Sequence, residues 1–457
     1  MEDGPHRGEA KDKRVLIIAY YWPPAGGPGV QRWLKFSKYL PENGWAPTLL
    51  VPEGAAYPVL DPSLEKDVPE NLEVHRVPIL EPYELAMRMF SSKDGAERLG
   101  SSKSNDGGQR FAQRLMLWCR GNLLLPDPRV LWRRRAGRRA MQLIRKAALD
   151  GAPFEAVVTT GPPHSIHLIG LDLKRRTALP WLADFRDLWR EMDYLEDFLP
   201  TNRTRRKHAK LEKAVVSGAD AITYTSPGTK ASLMQNAPEV AGEHFHLVYN
   251  GWDPADLPNG SGEHAPEGHS HDGVLHLGHF GSLFPTRDAP GLWRAIRRWN
   301  AGAADRPGKV HLDLVGSISP PVRNSIEALM SPEDWTDHGY VSHGEAVGMM
   351  QRMDALLLIQ NDNATGQRAI PGKAFEYLAA GRPMGVIAPV PSDLADLADQ
   401  WKLSPCHHQD VDGATSMLDM LCNGKGPGSG LSARYSRPAL TTEMSRVLLG
   451  IIPSTTH

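Results

Sequence analysis

Short apolar runs rich in β-branched residues recur along this chain, each followed by a Gly or Pro loop and then by a polar stretch with helical spacing. Residues 15–20 (VLIIAY) are the first such run. A strand that is apolar on both faces fits only a parallel sheet, because helices cover both sides of such a sheet. Runs at 48–51, 156–159, 181–183, 221–224 and 246–249 continue the alternation expected of a doubly wound sheet. The pattern stops at residues 258–273 (PNGSGEHAPEGHSHDG), which read as a linker. It restarts with runs at 275–281, 310–315, 339–341, 355–359 and 383–387. A chain of 457 residues exceeds what one core supports, so two domains of roughly 200 residues each are expected.

The expected division is a polar tail at 1–13, a Rossmann-like domain over 14–257, the linker at 258–273 and a second α/β domain over 274–440. A helix in 441–457 is expected to cross back to the first domain. Sheets of this kind bind ligands at the carboxyl ends of their strands, so two in tandem imply a cleft. Two segments of the first domain stand apart. Residues 91–108 are polar and Ser-rich, and read as a mobile insertion. Residues 110–146 carry ten Arg and one Lys against one acid, Asp127, interleaved with Leu, Phe and Trp. That mixture favours adsorption to an anionic membrane face; the plainer reading is a solvated helix face over a core stripe. No recognised nucleic-acid module accompanies it, so no nucleic-acid partner is expected.

Charge and cysteine content exclude several classes. Lys and Arg total 52 against 53 for Asp and Glu, so no global charge draws in a polyanion. Three cysteines, 119, 406 and 422, lie far apart and fit a reducing compartment. Cys406 beside His407 and His408 resembles a metal site superficially, but lacks a second spaced ligand pair and reads as a loop, so no metal is expected. No run of about 18 apolar residues exists, and the first 13 residues lack an apolar signal core. A cytoplasmic protein is expected, with the inner membrane face as a peripheral location through 110–146.

Two stretches suit anionic ligands. In 21–30 (YWPPAGGPGV), Gly26, Gly27 and Gly29 lie between a strand end and a helix start, where backbone N–H groups can approach an anion. The loop is neither a dinucleotide fingerprint nor a Walker loop, and a tight turn is its alternative reading. In 366–383 (GQRAIPGKAFEYLAAGRP), Pro371 suits a helix start, Ala and Leu follow, and Gly381 ends the helix. Lys373 and Glu376 share one face of its first turn. A cation there suits a diphosphate and a carboxylate one turn in suits a ribose; the alternative is a surface ion pair between the two.

The opening VLIIAYYWPPAGGPGVQR, then TGPPHS, DFRDLW, NGWDP, FGSLFPTRD and PGKAFEYLAAGRP, together resemble bacterial glycosyltransferases of family 4, over residues 14–400. The resemblance implies a GT-B fold with two doubly wound Rossmann-like domains facing across a cleft. It implies a nucleotide-sugar co-substrate held mainly by the second domain, no cofactor, a metal-independent site and retention of anomeric configuration. It also implies a saccharide or lipid-linked acceptor, in cell-surface polysaccharide or glycolipid assembly. By position, Gly27, Arg287 and Lys373 are expected on the donor diphosphate, Glu376 on the ribose, and His164 beside the transferred sugar. Two positions depart from the pattern: Arg368 stands where a first glutamate would be, and Ser282 where an arginine often is.

If configuration is retained, a donor phosphate oxygen takes the acceptor proton; otherwise a carboxylate must, and Asp184 or Asp187 in ADFRDLW is the first candidate. Asp184, Arg186 and Asp187 can equally form an internal ion-pair network. A nucleotide-sugar epimerase of the same architecture is the alternative within enzymes, distinguished by an epimer forming without nucleotide release. A non-catalytic sugar- or membrane-binding scaffold is the alternative outside them, made thinkable by Arg368.

Overall fold

The computed structural model describes residues 12–81, 106–192, 194–257, 273–302, 308–428 and 430–453. Nearly all of the tail expected at 1–13, most of the insertion at 91–108 and the linker at 258–273 except its last residue lie outside them. The chain forms two compact units. One holds the residues up to Tyr224, Lys230–Val248 and the segment from Thr441; the other holds Thr225–Thr229 and Tyr249–Leu440.

The first unit contains seven parallel strands: β1 (Lys13–Ile18), β2 (Trp45–Glu53), β3 (Glu73–Pro78), β4 (Phe154–Gly161), β5 (Trp181–Phe185), β6 (Ala221–Tyr224) and β7 (Phe245–Leu247). Their order is β3-β2-β1-β4-β5-β6-β7, so the winding reverses between β1 and β4. The second contains β8 (Val274–Phe280), β9 (Lys309–Val315), β10 (Trp335–Gly339), β11 (Ala355–Ile359) and β12 (Met384–Ile387), ordered β10-β9-β8-β11-β12, with the reversal between β8 and β11. All pairings in both are parallel. Such reversals open a crevice at the carboxyl ends of the flanking strands.

The inner strands bury both faces, as their unbroken apolar runs require. In β11, Leu357 and Ile359 join one core cluster while Leu356 and Leu358 join the cluster on the opposite face. This is the two-residue period of a pleated strand, and each buried Leu contributes about 1.5–3 kcal/mol. Edge strands differ from the expectations. β3 (EVHRVP) is absent from them, and β10 occupies 335–339 rather than 339–341. Both lie at the edge of their sheet and are largely solvated, so they carry no continuous apolar run.

The basic segment divides into the helix Asp106–Leu123, a turn and the helix Arg133–Leu149. Trp132, grouped by sequence with the adsorbing residues, instead belongs to the core: it is fully buried and its Nε1–H donates to Val77 O at 3.0 Å. Ala136, Ala140, Leu143 and Ala147 bury one stripe of the second helix, while Arg134, Arg135, Arg138, Arg145 and Lys146 lie exposed. Among the described residues no helix is long and apolar enough to cross a membrane. In the helix Arg437–Ile451 the chain passes from the second unit into the first, where Trp45 Nε1–H donates to Ser445 Oγ at 3.0 Å.

Candidate functional site

At the reversal of the second sheet, the chain leaves β8 through Gly281, whose φ of 156° favours glycine. The turn after β9 crowds against it. A Cβ on Gly316 would lie 2.5 Å from Gly281 O, so the turn after β9 has no room for a side chain on that side. Over Gly281 stands the helix Lys373–Ala380, a run of strong helix formers that ends at Gly381 in the left-handed region. Tyr377, fully buried, ties this helix to β8 by accepting from Phe280 N–H at 2.8 Å.

Lys373 Nζ donates to Phe280 O and lies 3.5 Å from where a Gly281 Cβ would be. Arg287, seven residues past β8, donates from Nε to Asn361 Oδ1 at 2.7 Å and from Nη1 to Ser282 O at 3.0 Å. Among the described residues neither cation forms a salt bridge. Burial holds both below their usual values: Glu376 partly offsets this for Lys373, whereas the Arg287 charge adds to it. Glu376, half-buried, accepts no hydrogen bond among the described residues. Two cations with neutral partners, backed by a helix start, can take up a pyrophosphate; the carboxylate one turn further can accept hydroxyl donors.

His279 joins this cluster, although sequence reasoning did not single it out. Its Nδ1–H donates to Leu357 O at 2.9 Å, which leaves Nε2 as a buried acceptor without a partner, 3.6 Å from the Gly281 Cβ position. Burial, with the Lys373 and Arg287 charges, lowers its pKa to about 3. Asn361 was missed as well. Only its place at the carboxyl end of β11, one strand over from Arg287, marks it.

Ser282 and Arg368 both make contacts through their backbone carbonyls. Ser282 holds Arg287 through its backbone carbonyl. Arg368 accepts from Ser226 Oγ at 2.6 Å through its carbonyl, and its side chain packs so closely on Gly228 that a Cβ there would come within 2.6 Å.

In the first unit, Gly27 caps the helix Pro28–Tyr39 with φ 86°, and a Cβ there would meet nothing within 4 Å. Its conformation, not crowding, selects glycine. Gly26 N–H donates to Val59 O at 2.9 Å, whereas a Cβ on Gly29 would press on Tyr21 and Arg186. Arg186 Nη1 donates to Gly29 O at 2.6 Å and its Nη2 donates to Pro162 O, so this residue ties the glycine loop to the turn after β4.

Asp184 is corrected from a candidate base to a structural residue. It is fully buried and accepts from Arg32 Nη2 (2.9 Å), Trp33 Nε1 (2.7 Å), Thr160 Oγ1 (2.9 Å) and Thr223 Oγ1 (2.7 Å). Burial would raise its pKa, but Arg32 and these donors hold the carboxyl below the usual range, which is the internal ion-pair arrangement and not that of a general base. Of the three candidates in ADFRDLW, only Asp187 has an exposed side chain.

His164 heads the helix Ser165–Thr177 and lies flat on Trp189, ring centres 4.8 Å apart. Its Nε2–H donates to Leu188 O at 3.1 Å, leaving Nδ1 a buried acceptor with no partner. Burial, then the His167 charge, holds it neutral well below its usual value. It lines a cavity of about 820 Å³ with Tyr21, Tyr57, Pro163, Trp189 and Phe198. Cys406, the cysteine of the expected loop, is buried in a strand-like bridge to Ile387, and burial pushes its thiol up to about 12.

No family model matches the sequence, and no curated protein matches it. Solved structures do resemble the chain. HepE of Anabaena, in complex with UDP and glucose, is 12% identical with a TM-score of 0.55, over 96% of this chain and 100% of that one. The N-terminal domain of Candida albicans trehalose-6-phosphate phosphatase is 12% identical with a TM-score of 0.57, over 98% and 99%. WaaG, a glycosyltransferase involved in lipopolysaccharide biosynthesis, is 13% identical with a TM-score of 0.51, over 94% of both chains. At such identities the likeness is one of fold: two Rossmann-like domains of the GT-B type.

Proposed function

We propose that the chain is a glycosyltransferase of family 4 that moves a sugar from a nucleoside diphosphate-sugar to an acceptor hydroxyl. The observation that carries this reading is the convergence of Gly281, Lys373 and Arg287 at the carboxyl end of β8, with Glu376 one helical turn away. HepE, similar in fold, binds UDP and glucose, which supports a uridine nucleotide as the first donor to try.

Bond cleavage at the anomeric carbon leaves a nucleoside diphosphate with growing negative charge. Lys373 and Arg287, already fixed by neutral acceptors, would neutralise it without reorganising, an effect worth about 3–4 kcal/mol for a single preorganised donor. In the retaining course, the acceptor oxygen attacks from the leaving-group side and passes its proton to a donor phosphate oxygen. No metal and no protein base take part. Glu376 would hold the ribose hydroxyls, the Gly27 and Gly29 N–H groups would contact the diphosphate, and neutral His164 would accept a hydrogen bond from the transferred sugar; Gly26, whose N–H is taken by Val59 O, would add no donor. The cavity beside His164 is the acceptor's place in this reading, and Asp187 is the base to test if configuration inverts.

We place the acceptor among saccharides or lipid-linked saccharides of cell-surface polymers, with the exposed arginines of 133–149 resting on the anionic inner face of the membrane. The test is a thermal-shift screen of UDP, GDP and ADP, followed by slow donor hydrolysis with the sugars of the winning nucleotide. A nucleotide that stabilises the protein, and whose sugar is hydrolysed, is the expected result. A shift that survives both Lys373→Ala and Glu376→Ala would refute the donor site.

A further inference from the structure

The structure assigns a second site, for a transition-metal dication, to Asp362, His407 and His408 in the second unit. Each offers one ligand atom, and the three atoms lie within 4.8 Å of one another. His407 Nε2 stands 3.3 Å from one Asp362 carboxylate oxygen and His408 Nδ1 stands 4.0 Å from the other. Around a tetrahedral ion with bonds of about 2.0–2.2 Å, neighbouring ligand atoms are about 3.3–3.5 Å apart. One pair already has this spacing. Asp362, with a side chain 41% exposed, is free to close the other by a rotation.

His408 is the residue that separates this cluster from a chance gathering. Its side chain is 1% exposed, and its Nε2–H donates to Gln360 O at 2.7 Å. The proton is therefore on Nε2, and the Nδ1 lone pair is buried with no hydrogen-bond partner, facing Asp362. A ligating histidine has this arrangement, one nitrogen donating to a backbone carbonyl and the other bare toward the ion. Without an ion, a buried unpartnered acceptor costs free energy. To bind through Nε2, His407 must shift its proton to Nδ1, which gives up only the long 3.4 Å contact that Nδ1 accepts from Gln409 N–H.

Two imidazoles and one carboxylate select Zn²⁺, Co²⁺ or Ni²⁺ over Mg²⁺ or Ca²⁺, which take oxygen ligands. Water would complete the coordination. The ion would pin the segment leaving β11 to the loop after β12. Asp362 N–H donates to Thr286 O and the neighbouring Asn361 holds Arg287, while His408 O accepts from Gly291 N–H at the start of the helix Pro290–Ala301. Metal would thus stiffen the bed of Arg287 without entering any transfer chemistry.

The test uses the full chain, stripped with a chelator and then titrated with Co²⁺. One equivalent should give a visible ligand-field absorption that Zn²⁺ abolishes, and Zn²⁺ should raise the melting temperature by a few degrees. Asp362→Ala and His407→Ala, both partly exposed, should weaken Co²⁺ binding at least about tenfold, the loss that even outer-shell partners produce. They should leave the metal-free melting temperature near that of the parent, which guards against misfolding as the cause. Absence of the absorption in the parent protein would overturn the assignment, as would equal binding in both variants. A thiolate-to-cobalt charge-transfer band would name Cys406 a ligand and overturn it too.

Discussion

At the carboxyl edge of the first sheet, Asp184 meets a guanidinium, an indole N–H and two hydroxyls, all buried. At the same edge of the second sheet, Lys373 and Arg287 meet only carbonyl and amide oxygens. Two crevices of one topology therefore differ in electrostatic closure. A charge whose counter-charge is built into the protein is part of the scaffold. One given only neutral partners keeps most of its field for a ligand.

The comparison can be broken most sharply at Asp184. Asp184→Ala leaves Arg32 buried without its counter-ion and should cost about 3–5 kcal/mol of stability, read as an earlier urea midpoint. Nucleotide affinity of the protein that still folds should hardly change. If it folds as well as the parent but loses turnover, Asp184 is chemical after all and the contrast fails. Lys373→Ala should do the reverse, lowering kcat by roughly 100- to 1000-fold with a small change in melting temperature. Comparable losses of stability and rate would instead make Lys373 a strut for β8.

The two units agree in one respect, which pH can sharpen. His167, fully buried on the helix Ser165–Thr177 behind β4 with Nδ1 2.9 Å from Thr159 Oγ1, and His279 in the second unit are both held near a pKa of about 3, by burial first of all. Unfolding returns each to its usual value near ~6.5, so below that the unfolded chain binds more protons. The contribution of each is complete above about pH 6.5 and shrinks as pH falls toward 3, by about 1.4 kcal/mol per pH unit. Urea titrations between pH 7 and pH 5 should show the slope flattening by a similar amount in His167→Asn and His279→Asn. Unequal flattening would mean that one of them is charged in the folded protein. The smallest effect is expected on the exposed basic face of the first unit. Arg134→Glu and Arg138→Glu should each weaken binding to anionic vesicles, roughly fivefold per charge removed, with binding to neutral vesicles as the baseline; no change would return these residues to a solvated helix face.

Legibility in the sequence followed burial. The inner strands, apolar on both faces, announced themselves, and so did the helix Lys373–Ala380 between Pro371 and Gly381. The edge strands β3 and β10 did not, because one side of each faces solvent and their residues read like loop. Of the candidate residues, Gly27, Lys373 and Glu376 could be picked out by spacing, and Arg287 by likeness to a family. His279 and Asn361 could not, since nothing local separates a buried histidine that lines a crevice from one that fills a core.

The sequence by itself determined the class of architecture: alternating strand and helix in two series, which leaves a parallel sheet as the only way to bury strands apolar on both sides. It also determined where the chain turns, through Gly and Pro at strand ends. Tertiary structure alone decided what each charge is for. The adjacent letters of ADFRDLW look alike, yet Asp184 is locked to Arg32, 152 residues away along the chain, while Asp187 faces solvent. Likewise His407 and His408 acquire Asp362 only because β11 and β12 lie side by side. Local sequence sets propensity and pattern, but the partner of a polar group is chosen by whichever distant segment the fold brings within hydrogen-bonding reach.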